Sequence, residues 1–169
     1  LNPIQPNLSS GLEGCVFKLD RHLSNIIWST YFGGSGDDCI YSVDFNRNND
    51  IVFGGGTTSP DLNTTPLAFQ QSYNSSNAFS PDGFITTIDN NADSIFFSTY
   101  FGTDSYDQVF FIDVTKNDQV HVLGQTNDTS NFFIKNSTIS TQKSGQFIST
   151  LSSSLSSLIR SSAIGSGKG

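Results

Sequence analysis

The residues best suited to chemistry are a short acidic loop, two thiols, two histidines and a set of loop aromatics. The loop Gly33-Gly-Ser-Gly-Asp-Asp38, with Asp44 following, supplies Asp37, Asp38 and Asp44 as carboxylates for a Ca²⁺ ion. Calcium takes roughly six to eight oxygens, more than these side chains provide. The residues favour another use, in which the glycines turn the chain between sheets and the aspartates accept hydrogen bonds from backbone amides. No cofactor is expected, with Ca²⁺ the one candidate. The loop lacks the Lys-Ser/Thr ending and following helix of a phosphate cradle.

His22 and His121 have no Cys or carboxylate at catalytic spacing, and no Gly-x-Ser-x-Gly elbow occurs. A non-enzymatic protein is therefore expected. Cys15 and Cys39 are the pair that a disulfide would use in an oxidising compartment; otherwise each is a small buried residue. Their spacing is not that of a zinc site. Trp28, Tyr31 and Tyr100 lie at recurring strand positions and read as core rather than as a sugar-stacking platform. The long polar loops 57–81 and 126–144 are better placed for recognition, through Tyr73, Phe79, Asn127 and Phe132.

Composition limits what these residues can serve. Charged residues make up 14%, the formal net charge is −7, and Phe and Gly number 15 each. The acidic balance argues against nucleic acid as a partner. No apolar run reaches the roughly 20 residues of a membrane span, and no targeting segment opens the chain. Without an initiator Met, the sequence reads as a piece of a larger protein. Weakly charged, aromatic-rich chains of this kind form sheets with many turns.

An internal repeat organises these residues. Trp28-Ser-Thr-Tyr-Phe-Gly33 returns at an offset of 69 as Phe97-Ser-Thr-Tyr-Phe-Gly102, and the same offset carries Asp38 onto Asp107, Asp44 onto Asp113 and Gly55 onto Gly124. A third, worn copy follows at an offset of 63, where Gln146-Phe-Ile-Ser-Thr-Leu151 matches Gly83-Phe-Ile-Thr-Thr-Ile88. Each unit reads as four short strands. The predicted strands are 15–20 and 26–32; then 40–45, 51–56, 83–89 and 95–101; then 109–114, 119–125, 146–151 and 158–164. Val109-Phe-Phe-Ile112 is apolar on both sides, which predicts sheets covered on both faces. The expected fold is all-β, with β-propeller blades of four antiparallel strands, about two and a half blades in an incomplete propeller segment. A β-solenoid or a two-sheet sandwich is the less favoured alternative.

Ser29-Thr-Tyr-Phe-Gly-Gly-Ser-Gly-Asp-Asp38, Asn49-Asp-Ile-Val-Phe-Gly-Gly-Gly-Thr-Thr-Ser59, Thr64-Thr-Pro-Leu-Ala-Phe-Gln70 and Asp82-Gly-Phe-Ile-Thr-Thr-Ile-Asp89 closely resemble the SBBP β-propeller repeat. The resemblance covers almost all of residues 14–165. It implies an extracellular or cell-surface bacterial scaffold, of a kind that in Bacteroidetes is often linked to type IX secretion, with no enzymatic activity established for the repeat itself. The division that follows is 1–13 as a leading segment, 14–33 as the second half of a blade, 34–102 as a complete blade, 103–165 as a complete but divergent blade, and 166–169 as the start of the next loop. Expected partners are other proteins or further blades of the parent chain, with surface glycans as an alternative through an adhesin role. A further alternative is a propeller hydrolase whose site lies on blades not present.

Overall fold

The computed structural model describes residues 2–9, 11–75, 77, 79–130 and 132–165. The start of a further loop expected at 166–169 lies outside these residues. Over the described residues the chain is all-β, with ten strands and no helix. Strands β1 (Gly14–Leu19) and β2 (Ile26–Phe32) form a two-stranded sheet. Strands β3 (Asp38–Phe45), β4 (Ile51–Thr57), β5 (Asp82–Ile88) and β6 (Ile95–Phe101) form a second sheet, joined in sequence order. Strands β7 (Asp107–Val114), β8 (Val120–Thr126), β9 (Gln146–Leu151) and β10 (Leu158–Ile164) form a third in the same order. Every pairing between these strands is antiparallel. No helix of the described residues is long and apolar enough to cross a membrane.

The turns explain why the copies keep register. Leu23 and Ala92, one repeat interval apart, both take positive φ (56° and 57°), and Leu155, at the matching turn of the worn copy, takes 53°. Asn49 and Asp118 repeat the device between the first two strands of each sheet, at 64° and 59°. A left-handed residue is unfavourable for most side chains, and local polar groups offset it here. Asp89 accepts from the amides of Asn91, Asp93 and Ser94, as Asp20 does from those of His22 and Ser24.

The sheets lie face to face. Val16, Trp28, Phe32, Phe53, Phe84 and Tyr100 fill the space between the first and second. Val52, Ile85, Phe101, Val109, Ile112 and Phe147 belong to the cluster joining the second and third. Strands β4 and β5 are buried along their whole length, as expected of strands covered on both faces. Phe111 differs: it is 64% exposed, because it stands on the outer face of the last sheet.

Strands β3 and β7 each begin two residues earlier than the apolar run predicts. Asp38 and Asp107 enter the ladder opposite Thr57 and Thr126. A carboxylate reads as a loop residue in sequence, yet here it satisfies the loop before it while its backbone pairs in the sheet.

Candidate functional site

The acidic loop is built by satisfying one amide after another. Gly33 donates its N–H to Oε1 of Gln5 (3.1 Å), Gly34 to Oδ2 of Asp38 (2.8 Å), Ser35 to Oδ1 of Asp61 (2.8 Å), Gly36 to Oγ of Ser59 (2.9 Å) and Asp37 to Oγ1 of Thr58 (2.8 Å). The calcium candidates are therefore spread over separate tasks. Asp37 accepts from the Leu12 amide, Asp38 from Gly34 and the Ser59 hydroxyl, and Asp44 from the amides of Phe45 and Val114. Among the described residues no three His, Cys, Asp or Glu side chains gather as a metal-binding group.

The pattern recurs in the next copy despite the altered loop sequence. Gly102 donates to Oε1 of Gln70, Thr103 to Oδ2 of Asp107, and Asp107 to the Pro81 carbonyl as Asp38 does to that of Leu12. Gln5 and Gln70 thus do the same work, each also donating through its side-chain amide to a carboxylate, Glu13 or Asp82. Gln5 stands closer to Gln70 than the repeat interval, so the repeat offset did not reveal it. Gln5, in the leading segment, lies beside β2: Tyr31 donates its N–H to the Gln5 carbonyl, as Tyr100 does to that of Gln70.

At this end of the sheets stand three buried carboxylates. Asp38, Thr57 and Asp82 face one another across β3, β4 and β5, and Asp107 opens β7 beside them. Asp38 is 1% exposed, and Asp82 and Asp107 are 0% exposed. In each, Oδ2 is hydrogen-bonded while Oδ1 has no partner among the described residues. Burial pushes Asp82 up to about 7, helped by the neighbouring charge of Asp107, and burial likewise pushes Asp107 up to about 6. Asp82 and Asp107 therefore keep their protons to higher pH than an ordinary carboxyl does. All three are closed off from solvent beneath the loops.

A second arrangement emerges only when the strands are paired. Asp113 lies opposite His121, and His121 opposite Thr150, with Nδ1 of His121 2.8 Å from Oγ1 of Thr150. With Phe111, Leu123, Ile148, Arg160 and Ser162 they line a groove of about 400 Å³ on the outer face of the third sheet. His121 thus has polar neighbours that linear spacing concealed. Thr150 sits on β9, paired on both sides, so the ladder consumes the amides that an oxyanion site would use.

The recognition residues part company. Tyr73 packs against Tyr100 (6.1 Å between rings) and donates its hydroxyl proton to the Ser80 carbonyl. Phe132 packs among Phe69, Phe101 and Phe133. Asn127 anchors its loop by donating its N–H to the Tyr106 carbonyl. Phe79 is 90% exposed, and Asn127, held through its backbone, is exposed as well. Cys15, exposed, and Cys39, half-buried, are both free thiols. The chain matches no protein-family model, and no curated protein is significantly similar to it.

Proposed function

We propose that this chain is a run of β-propeller blades of the SBBP type, serving as a non-enzymatic scaffold for protein contacts in a secreted or cell-surface bacterial protein. The observation that carries the reading is the repetition of contacts as well as residues. The second and third sheets have the same strand order, and the hydrogen bonds closing their loops recur at the repeat interval. Such an array buries its apolar faces between neighbouring units and leaves loops and end faces for partners.

A carbohydrate-binding adhesin is the second reading, favoured by Phe79 at a loop tip but weakened by the inward packing of Tyr73 and Phe132. Surface labelling of intact source cells, followed by immunoprecipitation of the parent protein, tests the scaffold reading. The expected result is a surface-labelled protein that brings down a stoichiometric protein partner. An unlabelled cytoplasmic protein recovered alone overturns it.

A further inference from the structure

We infer that the cavity between the second and third sheets, at their turn end, binds an aliphatic primary ammonium group, whether carried by a free amine or by a partner's lysine side chain. The inference goes beyond the scaffold reading and does not depend on it.

The cavity measures about 460 Å³ and lies between two complete four-stranded sheets. The turn between β3 and β4 brings Asn46, Asn48 and Asp50 to it, and the turn between β7 and β8 brings Asp118. Strand β6 contributes Phe96 and Phe97, and the turn between β9 and β10 contributes Ser153. Thr87 of β5 also lines it. This residue is 2% exposed, and its Oγ1 has no hydrogen-bond partner among the described residues. A buried hydroxyl left without a partner is costly, so the position calls for one.

The junction between the first and second sheets shows what chemistry bridges this place. At the repeat offset of 69, Thr87 and Phe97 correspond to Lys18 and Trp28, and at the offset of 63 Ser153 corresponds to Asn90. Lys18 Nζ donates to Oδ1 of Asn90 at 2.5 Å, and Trp28 Nε1 donates to the Asn90 carbonyl at 3.0 Å. Two side chains of one sheet thus reach the turn of the next. Thr87 is too short to do the same, and Phe97 has no donor. The second junction keeps the turn and lacks the ammonium that bridges to it.

The polar lining suits a cation. Asp118 is paired with Arg47 (2.9 Å), but among the described residues no Lys or Arg pairs with Asp50, and none lines the cavity. Asp50 accepts from Nδ2 of Asn46 through Oδ2 (2.9 Å), which leaves Oδ1 for a ligand's N–H. An anion would meet two carboxylates and no positive lining residue. Phe96 and Phe97 give an aliphatic stem an apolar wall, and a ring face attracts the ammonium itself. A lysine side chain has both parts, and n-butylammonium reproduces them in a free amine.

The test titrates the isotope-labelled full 169-residue chain with n-butylammonium chloride at constant ionic strength and follows the backbone amides by NMR. Saturable shifts are expected at Asp50, Thr87, Phe97 and Asp118, with none from n-butanol at the same concentrations. A lysine tripeptide blocked at both ends is the second probe. Saturation at the same amides admits a partner's lysine, and exclusion of the peptide assigns the site to free amines; both outcomes support the inference. Asp50→Asn, which keeps an acceptor for Asn46, is expected to weaken butylammonium binding several-fold. Thr87→Lys combined with Ser153→Asn rebuilds the first junction, and is expected to abolish binding while raising the melting temperature. Should that variant fail to fold, the Asp50→Asn comparison decides alone. No saturable shift with butylammonium, equal shifts with n-butanol, or an affinity unchanged by Asp50→Asn or by the folded double variant overturns the inference.

Discussion

Ile112 donates its backbone N–H to the Ser42 hydroxyl of the neighbouring sheet, 3.0 Å away, and one step along the strand Val114 donates to Oδ2 of Asp44 at 2.7 Å. The inner strand of one copy is thus held by side chains from the inner strand of the copy before it. Removing the Asp44 acceptor strands a partly buried amide. Asp44→Ala is expected to lower stability by about 1–3 kcal/mol. Asp113, its counterpart on the exposed outer face, is expected to tolerate alanine within about 0.5 kcal/mol. Urea unfolding of the two variants checks the contrast, and it also separates an amide-holding Asp44 from a calcium ligand, since added Ca²⁺ should shift neither midpoint.

Tyr100 joins a loop to the core. Its hydroxyl donates to the Ser59 carbonyl at 2.7 Å and accepts from the Leu62 amide at 2.8 Å, and the residue is fully buried. Tyr100→Phe leaves both backbone groups without their partner and is expected to cost about 1–3 kcal/mol. Tyr73→Phe, at a half-buried site, should cost less. Thermal denaturation of both variants gives the comparison.

The buried aspartates make stability depend on pH in an unusual direction. Folding raises the pKa of Asp82 to about 7 and of Asp107 to about 6 from an ordinary 3.8. A raised carboxyl pKa means that the folded state binds the extra proton. This contribution is complete below 3.8 and is lost as pH rises through 6 to 7. Asp61, lowered by the Ser35 amide, acts oppositely and loses its contribution as pH falls below the ordinary carboxylate range. The melting temperature should therefore be higher in mildly acidic buffer than above neutrality. Asp82→Asn, which keeps the acceptor for Asn74 and Gln70, should flatten the decline between pH 3.8 and about 7. A variant that shifts the curve equally at every pH would contradict this cause.

Gly55 admits no side chain. A Cβ there would lie 1.7 Å from the Cys39 carbonyl oxygen, in the adjacent backbone, whereas at Gly145 the nearest atom would be an ordinary 3.8 Å away. Gly55→Ala is expected to destabilise by about 1–3 kcal/mol or more through forced backbone displacement, and Gly145→Ala to have little effect. Chemical denaturation of the pair decides it.

The strands were legible because the repeat shows the same turn and apolar pattern twice, and two imperfect copies correct one another. Long-range partners were less so. Asp38, Asp82 and Asp107 read as loop carboxylates, and nothing local says that the surrounding loops seal them. Gln5 escaped the repeat because its offset falls short of the repeat interval. His121 met Thr150 only through a strand register that linear spacing does not carry. Tyr73 and Phe132 sit in polar loops, where an aromatic ring looks available for a ligand, yet both were needed to tie those loops down.

Successive copies stack sheet on sheet through their inner strands. Amide hydrogen exchange at Ile112 and Val114 measures this most directly, because their hydrogen bonds cross from one sheet to the next. Slow exchange is expected at both, comparable to the buried strand residue Phe84, with Asp44→Ala accelerating Val114 selectively. Exchange at both positions as fast as in unstructured chain would contradict the stacked array.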